Sequence, residues 1–162
     1  MVFVVLGTWG MPFVRPLIEI ERAAEQDLLP VPIVVQGGKT YYQSERLKVV
    51  PFYDKEELER LYEGASLLIC QAGVGSIMLG LRKRKKVIAI ARRRIFDEHI
   101  DDHQIEILDV FAKAGCVLPW NGSGDLPKVL ERARDFAPAD YPFADEKLSS
   151  TILDYLAANV SL

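Results

Sequence analysis

The residues best suited to chemistry fall in two short segments. The first is Gln71-Ala72-Gly73-Val74-Gly75-Ser76. An apolar run over residues 67–70 leads into it and a helical pattern follows, which puts the glycines at a strand-to-helix turn. Glycine lets a ligand approach the backbone closely, and the first turn of a helix has N–H groups without intrahelical acceptors. A diphosphate suits Gly73, Val74, Gly75 and Ser76. The same pattern also serves as a plain tight turn with no ligand, because short glycine loops are weak signals.

The second segment is Arg92-Arg93-Arg94 with Glu98-His99-Ile100-Asp101-Asp102-His103-Gln104, and it holds both histidines of the chain. It follows another apolar run, residues 87–91, so it belongs at the same sheet edge as the glycine turn. Such a cluster can hydrogen-bond sugar hydroxyls and phosphate. The plainer alternative is a charged loop followed by a helix capped by Asp101 or Asp102. His99 and His103 stand four apart, the spacing of a metal pair on one helix face. No third ligand of matching type accompanies them in sequence, and no metal is expected.

Two further segments qualify. Gly7-Thr8-Trp9-Gly10 follows the first apolar run, where its glycines permit close approach at the ligand edge; Trp9 there is either core or an exposed aromatic waiting for a partner. The basic run Arg82-Lys83-Arg84-Lys85-Lys86 precedes the fifth apolar run and therefore lies at the opposite edge. It is either a solvated turn or a contact for acidic head groups.

The elements that position these residues read as alternating strands and helices. Strands are expected at residues 2–6, 33–36, 47–50, 67–70, 87–91 and 116–118. Their apolar, β-branched composition on both faces indicates a parallel sheet covered by helices on each side. Helices are expected over residues 13–25, from Asp54 as cap to Gly64, from the glycine turn to about Arg84, around Ile105, Leu108 and Ala112 up to Gly115, and from Asp125 through Val129, Leu130 and Ala133. The fold class is therefore α/β, a doubly wound, Rossmann-like parallel sheet forming one domain over residues 1–162. A last amphipathic helix, residues 143–159, follows a proline-rich connector. Its stripe of Leu148, Ile152, Tyr155 and Leu156 either packs back on the domain or docks a partner.

Composition narrows the classes. The 162 residues are 49% hydrophobic and 27% charged, with a net charge of −3. That balance speaks against bulk electrostatic binding of nucleic acid. Cys70 and Cys116 lie in apolar runs and read as reduced, buried thiols. Residues 1–6 are too short for a signal peptide, and no apolar run approaches the roughly 20 residues that cross a bilayer. A cytoplasmic location is the expectation. A signalling receiver of similar topology is disfavoured because Gly7-Thr8-Trp9 supplies no acidic residue for magnesium.

In this order, the segments resemble the glycosyltransferases related to the MurG carboxyl-terminal domain, and within them the PssE-type exopolysaccharide subunits. The matching stretches are Val-Leu-Gly-Thr at 5–8, Val-Val-Gln-Gly-Gly at 34–38, Val-Pro-Phe-Tyr-Asp at 50–54, Ala-Gly-Val-Gly-Ser at 72–76 and Glu-His-Ile-Asp-Asp-His-Gln at 98–104. The resemblance implies the donor-binding half of a GT-B fold. It implies an inverting transfer of a sugar, glucuronate or a similar hexose, from a UDP-sugar to a lipid-linked saccharide. The UDP-sugar is a substrate, and no cofactor is implied.

The resemblance also implies roles. Phe52 and Tyr53 lie near the base, the 73–76 turn faces the diphosphate, and His103 and Gln104 sit at the donor sugar; beside these, Gly7 and Thr8 are read as donor contacts, and His99, His103 and Gln104 as the catalytic residues. Arg93, Arg94, Glu98 and Asp102 complete the polar cluster, and Arg92 joins its neighbours as a candidate to steady the leaving diphosphate. A membrane-anchored partner subunit supplies the acceptor half and brings the chain to the inner face of the membrane. Two positions depart from the pattern. Many relatives have His at Gln71 and a ribose-binding Glu at Leu79; PssE-type relatives also lack that Glu. A non-catalytic, nucleotide-binding subunit is the alternative these departures keep open.

Overall fold

The computed structural model describes residues 1–141. The terminal helix expected over residues 143–159 lies outside them. In chain order the elements are β1 (Val2–Val5), α1 (Arg15–Glu25), β2 (Ile33–Gln36), β3 (Leu47–Val50), α2 (Lys55–Gly64), β4 (Leu67–Gln71), α3 (Val74–Arg82), β5 (Val87–Ile90), α4 (His103–Lys113), β6 (Leu118–Trp120) and α5 (Leu126–Asp135). The six strands form one sheet in the order β3-β2-β1-β4-β5-β6, with every pairing parallel. This is the doubly wound order in which the chain reverses direction across the sheet between β1 and β4.

The inner strands are apolar on both faces because both faces are covered. Val2, Val4, Ile69, Ile88 and Ile90 point into one core with α1 and α5. Their alternates Phe3, Val5, Leu68, Cys70, Val87 and Ala89 point into a second core with α2, α3 and α4. The period of two along each strand divides the side chains between these cores. Both cysteines are free and buried, and burial pushes the Cys70 thiol up to about 12.

Most element boundaries agree with the sequence reading, and the exceptions have local causes. Helix α1 starts at Arg15 and not at Phe13: the first turn's bonds run to Val14 O, and Phe13 is held in the preceding loop by its N–H to Thr40 Oγ1 at 2.9 Å. Helix α3 stops at Arg82, and Arg84 turns into the left-handed region at φ 53°. The sixth strand begins at Leu118, two residues later than expected. Gly115, at φ 69°, and Cys116 are consumed in ending α4: their N–H groups bond Ala112 O and Phe111 O. Asp54 caps α2 as expected, accepting from Glu57 N–H at 2.8 Å. Asp125 does not cap α5; its Oδ1 is buried without a protein partner.

Candidate functional site

At the switch point, the loops after β1 and β4 flank a cleft of about 310 Å³. Gly7, Thr8, Gly73, Gly75, Ser76 and Leu79 line it, with the Gln71 side chain at its back. None of its lining residues is charged. Its polarity comes from α3, which begins here with no side-chain cap at Gly73 and no acidic residue in its first turn. The first-turn N–H groups therefore face the cleft as an electropositive pole. The Ser76 hydroxyl is tied to the buried phenol of Tyr62, whose pKa is raised chiefly by burial.

Two of the three cleft glycines, Gly7 and Gly75, do different work. Gly7 has φ 76°, and a Cβ there would meet Gln71 Nε2 at 1.9 Å. It has to be glycine for conformation and for the Gln71 side chain packed against it. A Cβ on Gly75 would meet nothing within 4 Å. No protein group needs that glycine, and the space over it is open for a ligand.

The arginine run separates. Arg92 is fully buried. Its Nε donates to Gln71 Oε1 at 2.7 Å, Nη1 to Met11 O at 2.8 Å and Glu98 O at 3.0 Å, and Nη2 to Leu6 O at 2.9 Å. Its guanidinium also lies 4.6 Å from the centre of the Phe13 ring. Burial lowers its pKa to about 10, partly countered by Glu98. Arg92 thus fastens the loops after β1, β4 and β5 to one another, which corrects the expectation that it steadies a leaving diphosphate.

Arg93 leaves the strand on the other face. It lines a separate cavity of about 310 Å³ beside Ala91, Ile105 and Asn121. Its Nε meets Asp102 Oδ1 at 3.2 Å, and the Arg94 N–H donates to the same oxygen at 3.0 Å. Asp102 therefore braces this loop and does not cap α4. Arg94 itself is exposed.

Glu98 is buried, where a sugar-binding role was expected. Arg15 grips it twice, Nε to Oε1 at 2.9 Å and Nη2 to Oε2 at 2.7 Å, and the Arg93 N–H adds a third bond at 3.0 Å. Arg15 also donates to Ala91 O and Asn121 O. Sequence reasoning missed Arg15. The available signal was a cation in the first turn of a helix next to Pro16, where the dipole disfavours it unless a carboxylate answers.

His99 is buried and stacks on Trp9, ring centres 4.4 Å apart, which joins the loops after β1 and β5. His103 opens α4 and is exposed, its Nδ1 in contact with Asp101 Oδ1. That contact is the first cause holding the Asp101 carboxyl below the usual range. Gln104 is buried and its Oε1 accepts the Arg92 N–H at 3.0 Å. On the far side of β1, Phe52 is exposed. Tyr53 turns inward, edge-on to Phe3 at 6.4 Å, its hydroxyl buried without a partner.

The larger cavity of about 850 Å³, between Leu81, Lys85 and Pro138, sits at the opposite edge of the sheet. The basic run beside it is tied to the protein: Lys83 to Glu63, Lys85 to Glu63 O, and Lys86 to Ala133 O and Arg134 O. Arg82 and Arg84 are exposed, so the turn is partly solvated, while its three lysines are held near the ends of α2 and α5. Among the described residues, no helix is long and apolar enough to cross a membrane.

The model of the glycosyltransferase family 28 C-terminal domain matches residues 1–156. No curated protein matches the chain by sequence. Among solved structures, ALG13, determined by NMR, aligns with a TM-score of 0.56 and 20% identity, over 94% of this chain and 93% of that one. The kitacinnamycin glycotransferase aligns at 0.59 and 17%, over 96% of this chain and 39% of that one. The glycosyltransferase SnogD from Streptomyces nogalater aligns at 0.54 and 14%, over 95% and 43%. At these identities the likeness is one of fold. The chain has nearly the extent of ALG13 and about two fifths of the other two.

Proposed function

The chain belongs to the family of glycosyltransferase family 28 C-terminal domains, and from that premise we propose that it is the donor-binding, catalytic subunit of a two-component inverting glycosyltransferase. The donor is a UDP-sugar carrying glucuronate or a similar hexose. The acceptor is a lipid-linked saccharide in exopolysaccharide or capsule synthesis. A membrane-anchored partner presents that acceptor and recruits this subunit from the cytoplasm.

The observation that carries the reading is the uncapped start of α3, opening on an uncharged cleft with free space over Gly75. A diphosphate in that cleft meets N–H donors and the positive end of the helix. In the transfer, the acceptor oxygen bonds the anomeric carbon as the bond from that carbon to the diphosphate oxygen breaks, with inversion. The negative charge that builds on the leaving diphosphate is what preoriented N–H groups stabilise. Phe52, exposed at this edge, is available to stack on the base, and His103 and the Gln104 amide to bond the sugar.

A second feature supports the two-component arrangement. Among the described residues, Trp9, Tyr41, Phe52, Val74, Ile95, Phe96 and Ile100 are exposed large hydrophobics on the loops or helix start that follow strand ends. Apolar side chains gathered around one edge mark a surface that another protein covers.

Titration calorimetry with UDP and a panel of UDP-sugars tests the donor site, and transfer assays with and without the partner test the division of labour. UDP binding with transfer only in the partner's presence is expected. Full transfer by the chain alone refutes the two-component reading, and absence of nucleotide binding refutes the donor site. Leu79 lines the cleft where relatives carry a ribose-binding carboxylate, and Gln71 is occupied by Arg92. Both favour a second reading, a nucleotide-binding subunit without catalysis, which binding without transfer in the complete assembly would establish.

A further inference from the structure

The two histidines gain in three dimensions the third ligand that the sequence spacing did not reveal. Asp101 lies between them in the chain, and its Oδ1 sits 3.0 Å from His99 Nδ1 and against His103 Nδ1. One ligand atom from each of the three side chains lies within 4.8 Å of the others. The Asp101 N–H donates to His99 Nδ1 at 3.4 Å, which holds the ring beside the carboxylate. A ring nitrogen and a carboxylate oxygen 3.0 Å apart are bridged by a proton, whose place a cation can take.

The site is also partly preorganised. His99 is 6% exposed, and its ring is clamped by stacking on Trp9 at 4.4 Å. The His103 ring stands edge-on to it at 4.8 Å. His103 is half-exposed, so its side chain can close the remaining gap. Four ligands around zinc at about 2.0–2.1 Å stand roughly 3.3 Å apart, which calls for a movement of only about 1.5 Å at the widest separation.

We propose that His99, Asp101 and His103 form a binding site for one divalent transition-metal ion of the zinc class, joining the loop after β5 to the first turn of α4. Two imidazoles and one carboxylate select such an ion over magnesium, which demands an all-oxygen octahedron. Three protein ligands leave a fourth position for water. Rival sites are few. The chain has only these two histidines, and both cysteines are buried. The proposal does not depend on the transfer reading, since the ion is measured on the chain without nucleotide.

The test is a Zn²⁺ titration of the full chain by calorimetry, paired with the visible absorption of Co²⁺ in the same site. One equivalent of Zn²⁺ is expected, undisturbed by excess Mg²⁺, with a Co²⁺ spectrum showing nitrogen and oxygen ligation. His99→Ala, Asp101→Asn and His103→Ala should each weaken binding at least tenfold, while Asp109→Asn, on the exposed side of α4, leaves it unchanged. Because His99 is buried, Asp101→Asn and His103→Ala decide the matter if His99→Ala fails to fold. Absence of Zn²⁺ binding overturns the proposal. So does binding that persists at full strength in an Asp101→Asn, His103→Ala double variant with the parent circular dichroism spectrum.

Discussion

Gly75→Val separates ligand recognition from folding more cleanly than any other change in the cleft. Gly75 occupies the second position of α3, its φ is not positive, and a Cβ there touches nothing within 4 Å. Valine is a better helix former than glycine by a few tenths of a kcal/mol, so the variant should be as stable as the parent or slightly more so. Its branched side chain fills the space through which a diphosphate oxygen reaches the first-turn N–H groups. Losing one hydrogen bond to a charged oxygen costs about 1.5–3 kcal/mol, or roughly 10- to 150-fold in Kd. UDP calorimetry and a thermal melt on the same preparation read both quantities. Unchanged affinity in a folded Gly75→Val protein would show that the diphosphate lies elsewhere and would remove the α3 terminus from the site. Gly7→Ala is the contrasting control. Its positive φ and the 1.9 Å approach to Gln71 Nε2 make it a folding defect before it is a binding defect.

Three further outcomes follow from the polar framework. Arg92→Met leaves Gln71 Oε1 and the carbonyls of Leu6, Met11 and Glu98 without their donor, and urea unfolding should show a loss of about 3–5 kcal/mol; a loss below about 1 kcal/mol would mean the loops are held by other contacts. His103→Ala should lower transfer in the complete assembly with little change in melting temperature, whereas Gln104→Ala should lower both, because Gln104 also accepts the Arg92 N–H and a lost buried partner costs about 1–3 kcal/mol. Equal stability of the two variants would contradict that distinction. The Asp102 carboxyl is held below its usual range, first by the Arg94 N–H. Its contribution to stability is therefore present above about pH 4 and fades as pH falls through the lowered folded value; Asp102→Asn should flatten the melting-temperature profile in that acidic window, and an unchanged profile would count against the brace.

Local sequence determined the parallel sheet. Runs such as Val-Phe-Val-Val and Val-Ile-Ala-Ile are apolar at every position, so they demand cover on both faces, and only helices between parallel strands supply it. It also determined which residues gather at the ligand edge, because a chain leaving a parallel strand at its carboxyl end enters the loop on that side. The glycine turn at 73–76, the Gly7-Thr8 turn and the 92–104 segment are all there, as their order alone requires.

Tertiary structure decided what each side chain does once there. Arg92 and Arg93 are identical in type and adjacent in chain, yet the strand alternation sends one into the core with Phe13 and the other toward α4. Nothing local marks which of the two is consumed in holding loops together, since the acceptors come from Leu6, Met11 and Gln71, far away in sequence. Glu98 reads as a free carboxylate until Arg15, 83 residues earlier, is brought against it. Asp101 becomes a partner of both histidines only through the turn that precedes α4. Patterns of apolar spacing act through neighbours within a few residues, whereas a buried polar group is defined by whichever partner the completed fold delivers, and that partner carries no periodic signature.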